Sequence, residues 1–146
     1  MRCGRAYCCH ECTARERAAL AATLPVERYR LIEADIADES AVDAAVSSFR
    51  PDVICHLAAL AGVRPSLAEP LRYVRTNVHG TTVILEACRR HHVDRVVFAS
   101  SSSVYGVRAD TEVIAFREDD PSVFPASPYA ATKRANELMA HAYSHL

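Results

Sequence analysis

The chain has 146 residues, half of them apolar, a formal net charge of -1 and six cysteines. That length supports one moderate hydrophobic core, read as a single domain over 1–146 with a divergent start over 1–27. The near-neutral balance gives no electrostatic case for nucleic acid or an anionic membrane surface. No apolar run approaches the ~20 residues that cross a bilayer, so no membrane partner is expected. The amino end, MRCGRAYCCHECTARER, has no apolar core for a signal peptide, which makes the cytoplasm the default.

Four of the cysteines crowd that start. Cys8, Cys9, His10 and Cys12 lack the two separated knuckles of a zinc site, so free thiols are expected and no metal. Thr13 with Glu16 three residues later forms a capping box, opening a helix through ARERAALAATL that stops before Pro25. RYRLIEAD, residues 28–35, reads as a strand and ESAVDAAVSSF, residues 39–49, as an amphipathic helix. DVICHLAA, residues 52–59, reads as a buried strand. Pro70 opens a long helix over residues 70–92, and DRVVFAS, residues 94–100, is a second buried strand that runs into serines. Cys55 and Cys88 lie in apolar runs and read as small core residues. A loop rich in Pro, Asp and Ser follows, then a last helix from Ser127. Strands alternating with helices predict an α/β fold, a partial doubly wound, Rossmann-like parallel sheet with both faces covered.

In such a sheet ligands gather outside the carboxyl ends of the strands. Three such ends carry polar or small residues: Asp35 and Ile36; the run HLAALAGVRPS; and ASSSSVYG. Asp35 reads equally well as a loop or capping carboxylate, and the serine run as a polar turn.

The last helix holds the chain's single lysine. Every other basic side chain, sixteen of them, is arginine. Lys133 stands four residues after Tyr129 in SPYAATKRANE, so the two share one helix face. A tyrosine hydroxyl, with a pKa of about 10, becomes a base at neutral pH only where a nearby positive charge favours the phenolate. A slim ammonium suits that task better than arginine's planar fork. An ordinary helix pair, with the lysine solvated, is the bland alternative.

ASSSSVYG, then EDDPSVFPASPYAATKRANELMAHAYSHL, resembles the extended short-chain dehydrogenase/reductase family of NAD-dependent nucleotide-sugar epimerases and dehydratases. RPDVICHLAALAGVRPSLAEPLRYVRTNVHGTTVILEA is similar to its middle part, most closely in the UDP-glucuronate 4-epimerases. The resemblance covers residues 28–146. It implies a catalytic set of Ser101, Tyr129 and Lys133, with NAD regenerated in each cycle. It places Asp35 and Ile36 at the adenine, Leu57, Ala58, Ala59 and Leu60 along the dinucleotide, and Asn77 close to it, with Tyr129 and Lys133 at the nicotinamide end. A UDP-sugar would meet Arg64, Ser102 and Ser103. Dehydratases of this family carry Asp-Glu directly after the active-site Thr, whereas Ser102 and Ser103 stand here, which favours an epimerase. A homodimer is implied for the whole protein.

Two departures accompany the resemblance. The family begins with a strand and G-x-x-G-x-x-G, yet the four glycines, Gly4, Gly62, Gly80 and Gly106, form no such run. The chain also ends at HAYSHL, where relatives continue into a substrate domain. The expectation is therefore a central fragment, which alone binds NAD negligibly. Two alternatives stay open: an inactive or partner-binding remnant, and a fragment of a UDP-glucose/galactose 4-epimerase.

Overall fold

A computed structural model describes residues 19, 22, 23, 30–107 and 115–146. Cys8, Cys9, His10 and Cys12, with the capping box at Thr13, lie outside them. Ala19, Ala22 and Thr23, within the helix expected over ARERAALAATL, are helical.

Helix α1 spans Glu39–Phe49. It starts where Asp38 Oδ1 accepts from the amides of Ser40 (3.0 Å) and Ala41 (3.1 Å), satisfying two donors that no helical carbonyl reaches. It stops where Arg50 turns left-handed (φ 46°), just before Pro51. Strand β1, Ile54–His56, then pairs in parallel with β2, Val96–Phe98, in the register Ile54–Val96, Cys55–Val97, His56–Phe98.

Between the strands the chain forms α2 (Val63–Ala68) and then one long helix. This begins as α3 (Pro70–Tyr73), widens into a π-helical turn (Val74–His79) and continues as α4 (Gly80–Arg90). Pro70 suits its opening because a first-turn residue needs no amide donor. After β2 come a 3₁₀ turn (Ser102–Tyr105) and α5 (Pro128–Tyr143), which Ser127 caps by accepting the Ala130 amide at 3.1 Å.

Val46 of α1, Ile84, Ala87 and Cys88 of α4, and Val93 form the core, joined by Ile36, Val42, Ile54 and Val96. Each large aliphatic side chain so buried contributes about 1.5–3 kcal/mol. Burial also holds the Cys88 thiol up at about 11.

The architecture is the Rossmann-like α/β fold expected, with three differences. Residues 30–35 take no strand ladder, because no described strand lies beside them to pair with. The two strands, three residues each, are shorter than the apolar runs that contain them. Among the described residues the core packs on the Ile54–Val96 face and not on the other. Cys55 and Val97 point the other way and are exposed, so Cys55 is not the core residue its apolar neighbours suggest. No helix among the described residues is long and apolar enough to cross a membrane.

Candidate active site

Helix α5 carries the lysine to the carboxyl end of β2. There Lys133, 5% exposed, donates from Nζ to the Ala99 carbonyl at 2.9 Å. This is not a solvated surface lysine. Burying an ammonium is costly unless its donors are satisfied, and the fold meets that condition by turning a strand-end carbonyl toward it. One turn earlier on α5, Tyr129 is half-buried and meets the Tyr73 ring edge-on, with ring centres 6.2 Å apart. Tyr73 is itself fixed, since its hydroxyl donates to the Ala61 carbonyl at 2.6 Å.

The loop leaving β1 is pinned by Asn77, which is fully buried on the π-helical turn. Its Oδ1 accepts from the Leu60 amide (2.8 Å), while Nδ2 donates to the Leu60 carbonyl (3.0 Å) and to Thr132 Oγ1 on α5 (3.1 Å). The amide expected near a dinucleotide thus spends its bonds on shaping the shelf of residues 57–60. On that shelf Leu57 is exposed, and Ala58, Ala59 and Leu60 are half-buried.

Asp35 stands just before the turn that leads into α1. Its Oδ1 accepts from the Ala37 amide (2.9 Å) and its Oδ2 from Arg75 Nη1 (2.8 Å). The backbone bond first, then the guanidinium, hold its carboxyl below the usual carboxylate range. Ile36 beside it packs on Gly80, where an added Cβ would lie 2.7 Å from Ile36 Cγ1.

Ser101 is extended and accepts the Ser103 amide through Oγ at 3.2 Å, capping the 3₁₀ turn. Ser101 and Ser102 open onto a depression of about 370 Å³, which Ser100, Tyr105, Phe116, Arg117, Glu118 and Glu137 also line. Ser100 donates to Glu137 Oε1 at 2.6 Å, tying the serine run to α5. Arg64 sits exposed on α2. Tyr73, Thr132 and Gly80 are the contributors that the sequence reading passed over. The first two look like ordinary amphipathic-helix positions, but a glycine inside a helical pattern is a signal of close packing.

The site thus joins a buried lysine, a tyrosine one turn away and a shelf of small residues at two parallel strand ends. Residues 5–146 match the model of the NAD dependent epimerase/dehydratase family. The chain belongs to that family. Among its epimerase/dehydratase relatives, a probable UDP-glucuronate 4-epimerase of Rhizobium meliloti (strain 1021) is 42% identical over 118 residues, 81% of this chain and 34% of the relative. A UDP-glucuronate 4-epimerase of Thermodesulfobacterium geofontis is 38% identical over 120 residues, 82% of this chain and 36% of the relative. The solved UDP-Glc/GlcNAc 4-epimerase of Campylobacter jejuni superposes with a TM-score of 0.82 at 27% identity, over 93% of this chain and 39% of that one. The UDP-glucose 4-epimerase of Thermus thermophilus, solved in complex with NAD, gives 0.75 at 34% identity, over 84% and 38%. The chain spans about a third of the length of these curated relatives.

Proposed function

We propose that this chain carries the catalytic helix and both dinucleotide-end contacts of a nucleotide-sugar 4-epimerase, with NAD as cofactor and UDP-glucuronate as the UDP-sugar. The observation behind this reading is the seat of Lys133: the chain's single lysine is buried one turn from Tyr129, with its ammonium at the carboxyl end of a parallel strand. The UDP-glucuronate 4-epimerase names of two relatives at 42% and 38% identity favour the uronate.

The residues present suit the two ends of NAD. Asp35 and Ile36 offer a carboxylate and a backbone edge for the adenine, and the shelf of Leu57, Ala58, Ala59 and Leu60 lets a ligand approach the main chain. No glycine run is present in the sequence to cradle the pyrophosphate. When bound, NAD supplies reversible acceptance of the hydride at sugar C4.

The chain's own groups handle the proton. Tyr129, as phenolate, takes the proton of the C4 hydroxyl, and Ser101 donates a hydrogen bond to the same oxygen. Lys133 supplies the positive charge that favours the phenolate, and a slim ammonium suits a ribose hydroxyl. After the 4-keto sugar turns over, Tyr129 returns the proton and the inverted sugar leaves. Ser102 and Ser103, hydroxyls and not carboxylates, receive the C6 carboxylate with Arg64, and do no acid–base work for loss of water. The whole protein acts in the cytoplasm as a homodimer.

A chimera tests the reading: residues 30–146 replace the matching segment of the Rhizobium meliloti relative, and the product is assayed. Inversion at C4 of UDP-glucuronate, faster than that of UDP-glucose, is expected. Release of water to a 4-keto-6-deoxy sugar would refute the epimerase assignment, and equal rates on both sugars would refute carboxylate recognition.

A further inference from the structure

His56 ends β1 inside the fold. It is 7% exposed, and its Nε2 lies 2.9 Å from Thr81 Oγ1 of α4. Its main-chain carbonyl accepts the Ala99 amide at 3.1 Å, and the Ala99 carbonyl in turn accepts the Lys133 ammonium. One residue of β2's carboxyl end therefore joins the imidazole's strand to the lysine. Among the described residues, Lys133 of α5 is the charge that acts on the ring; α4 bonds it through the Thr81 hydroxyl, and the Ala99 backbone bonds the His56 carbonyl, neither of which titrates.

We propose that His56, hydrogen-bonded to Thr81 and joined through the Ala99 backbone to the lysine's seat, is a positioning residue for Lys133: the uncharged ring leaves the ammonium in place, and a proton on it expels that ammonium. The chemistry follows from burial. Two cations sharing a desolvated space repel, and each loses the hydration that would otherwise stabilise it. Burial first, and the neighbouring ammonium second, push the imidazole down to about 4. Because coupling between two sites is reciprocal, the charge on Lys133 must disfavour the His56 proton as much as that proton disfavours the seated ammonium. The functional weight of this seat rests on Lys133 being catalytic, but its test does not, so an inactive chimera and an absent coupling are separate failures.

The chain offers a clean probe, because ¹⁵N-lysine labelling gives one side-chain signal. In the full chain, imidazole ¹³C shifts are followed against pH, with the His56 signal assigned by its loss in His56→Gln. Lys133→Gln is expected to raise the His56 midpoint by ~1 pH unit or more, a tenfold gain in proton affinity, while Lys133→Arg, which keeps the charge, leaves it within ~0.3 unit. A role in packing alone predicts no dependence on charge at residue 133. The second reading needs no change at the lysine: the Nζ signal of the unaltered chain moves to a solvated shift through the His56 midpoint, whereas in His56→Gln it stays in place. A midpoint near 6.5 in the unaltered chain, equal midpoints in the Lys133→Gln and unaltered chains, a rise in Lys133→Arg equal to that in Lys133→Gln, or an Nζ signal indifferent to His56 each overturns the proposal.

Discussion

Replacing Asn77 by alanine removes three hydrogen bonds at once from a fully buried position. The Leu60 amide and carbonyl lose their partners, and a backbone group left unsatisfied costs about 1–3 kcal/mol where water cannot reach it. Leu60 is half-buried, so water recovers part of that loss and the lower end applies. Thr132 keeps its bond to the Tyr129 carbonyl, at 2.7 Å, and adds little. With the small cavity left behind, the total is roughly 2–4 kcal/mol, a large share of the ~5–15 kcal/mol that stabilises a domain. Asn77→Asp sharpens the argument. It keeps an acceptor for the Leu60 amide but turns a second acceptor on the Leu60 carbonyl, so it destabilises at least as much as alanine. Urea unfolding followed by circular dichroism measures both, with a shifted midpoint at constant slope. If Asn77 only awaited a ligand, both variants would unfold within ~0.5 kcal/mol of the unaltered chain, and the clamp would be wrong.

Gly80→Ala gains about 1 kcal/mol of helix propensity but drives a Cβ into Ile36, whose Cγ1 and Cδ1 would lie 2.7 and 2.8 Å away. A net loss of about 1 kcal/mol is expected, and the sign should reverse in an Ile36→Ala background, as a thermal-melt double-mutant cycle will show. The carboxyl of Asp35 has a folded pKa below its ordinary value, so the stability it contributes is complete above pH ~3.8 and is lost as pH falls through the folded value. Asp35→Asn should flatten that acid limb in unfolding curves between pH 2 and 5. Arg75→Met should flatten it only in part, since the Ala37 amide is the larger cause. Calorimetric titration of this chain with NAD should show negligible binding, because several charge-assisted pyrophosphate bonds, at ~1.5–3 kcal/mol each, have no glycine run to make them. Micromolar binding would mean that another part of the chain supplies the cradle.

Where local chemistry decides structure, the sequence was a sufficient guide. ESAVDAAVSSF is α1 to the residue, because a capping Asp38 precedes it and Pro51 follows its end. Ser127 caps α5 for the same reason, and the isolated lysine marks the buried cation. What stayed hidden depends on neighbours distant in the chain. Val63–Ala68 reads as a loop because Gly62 and Pro65 break its pattern, and the π turn at Val74–His79 has no signature in residue type. Cys55 reads as buried because an apolar strand run is normally covered on both sides. Its exposure follows from which face the described helices occupy, a property of packing that periodicity does not encode. The tie between Asn77 and Leu60 spans seventeen residues, and only the folded chain brings it together.

The central claim is that Tyr129 moves the proton, with Lys133 seated beside it for that chemistry. Tyr129→Phe in the chimera keeps the ring, and so its edge contact with Tyr73, and removes only the hydroxyl. General-base catalysis by a positioned side chain contributes about 10²–10⁴-fold, so turnover of UDP-glucuronate should fall by at least ~100-fold, with KM nearly unchanged and the thermal midpoint within a few degrees. A chimera whose Tyr129→Phe variant retains more than a tenth of its turnover would contradict the account.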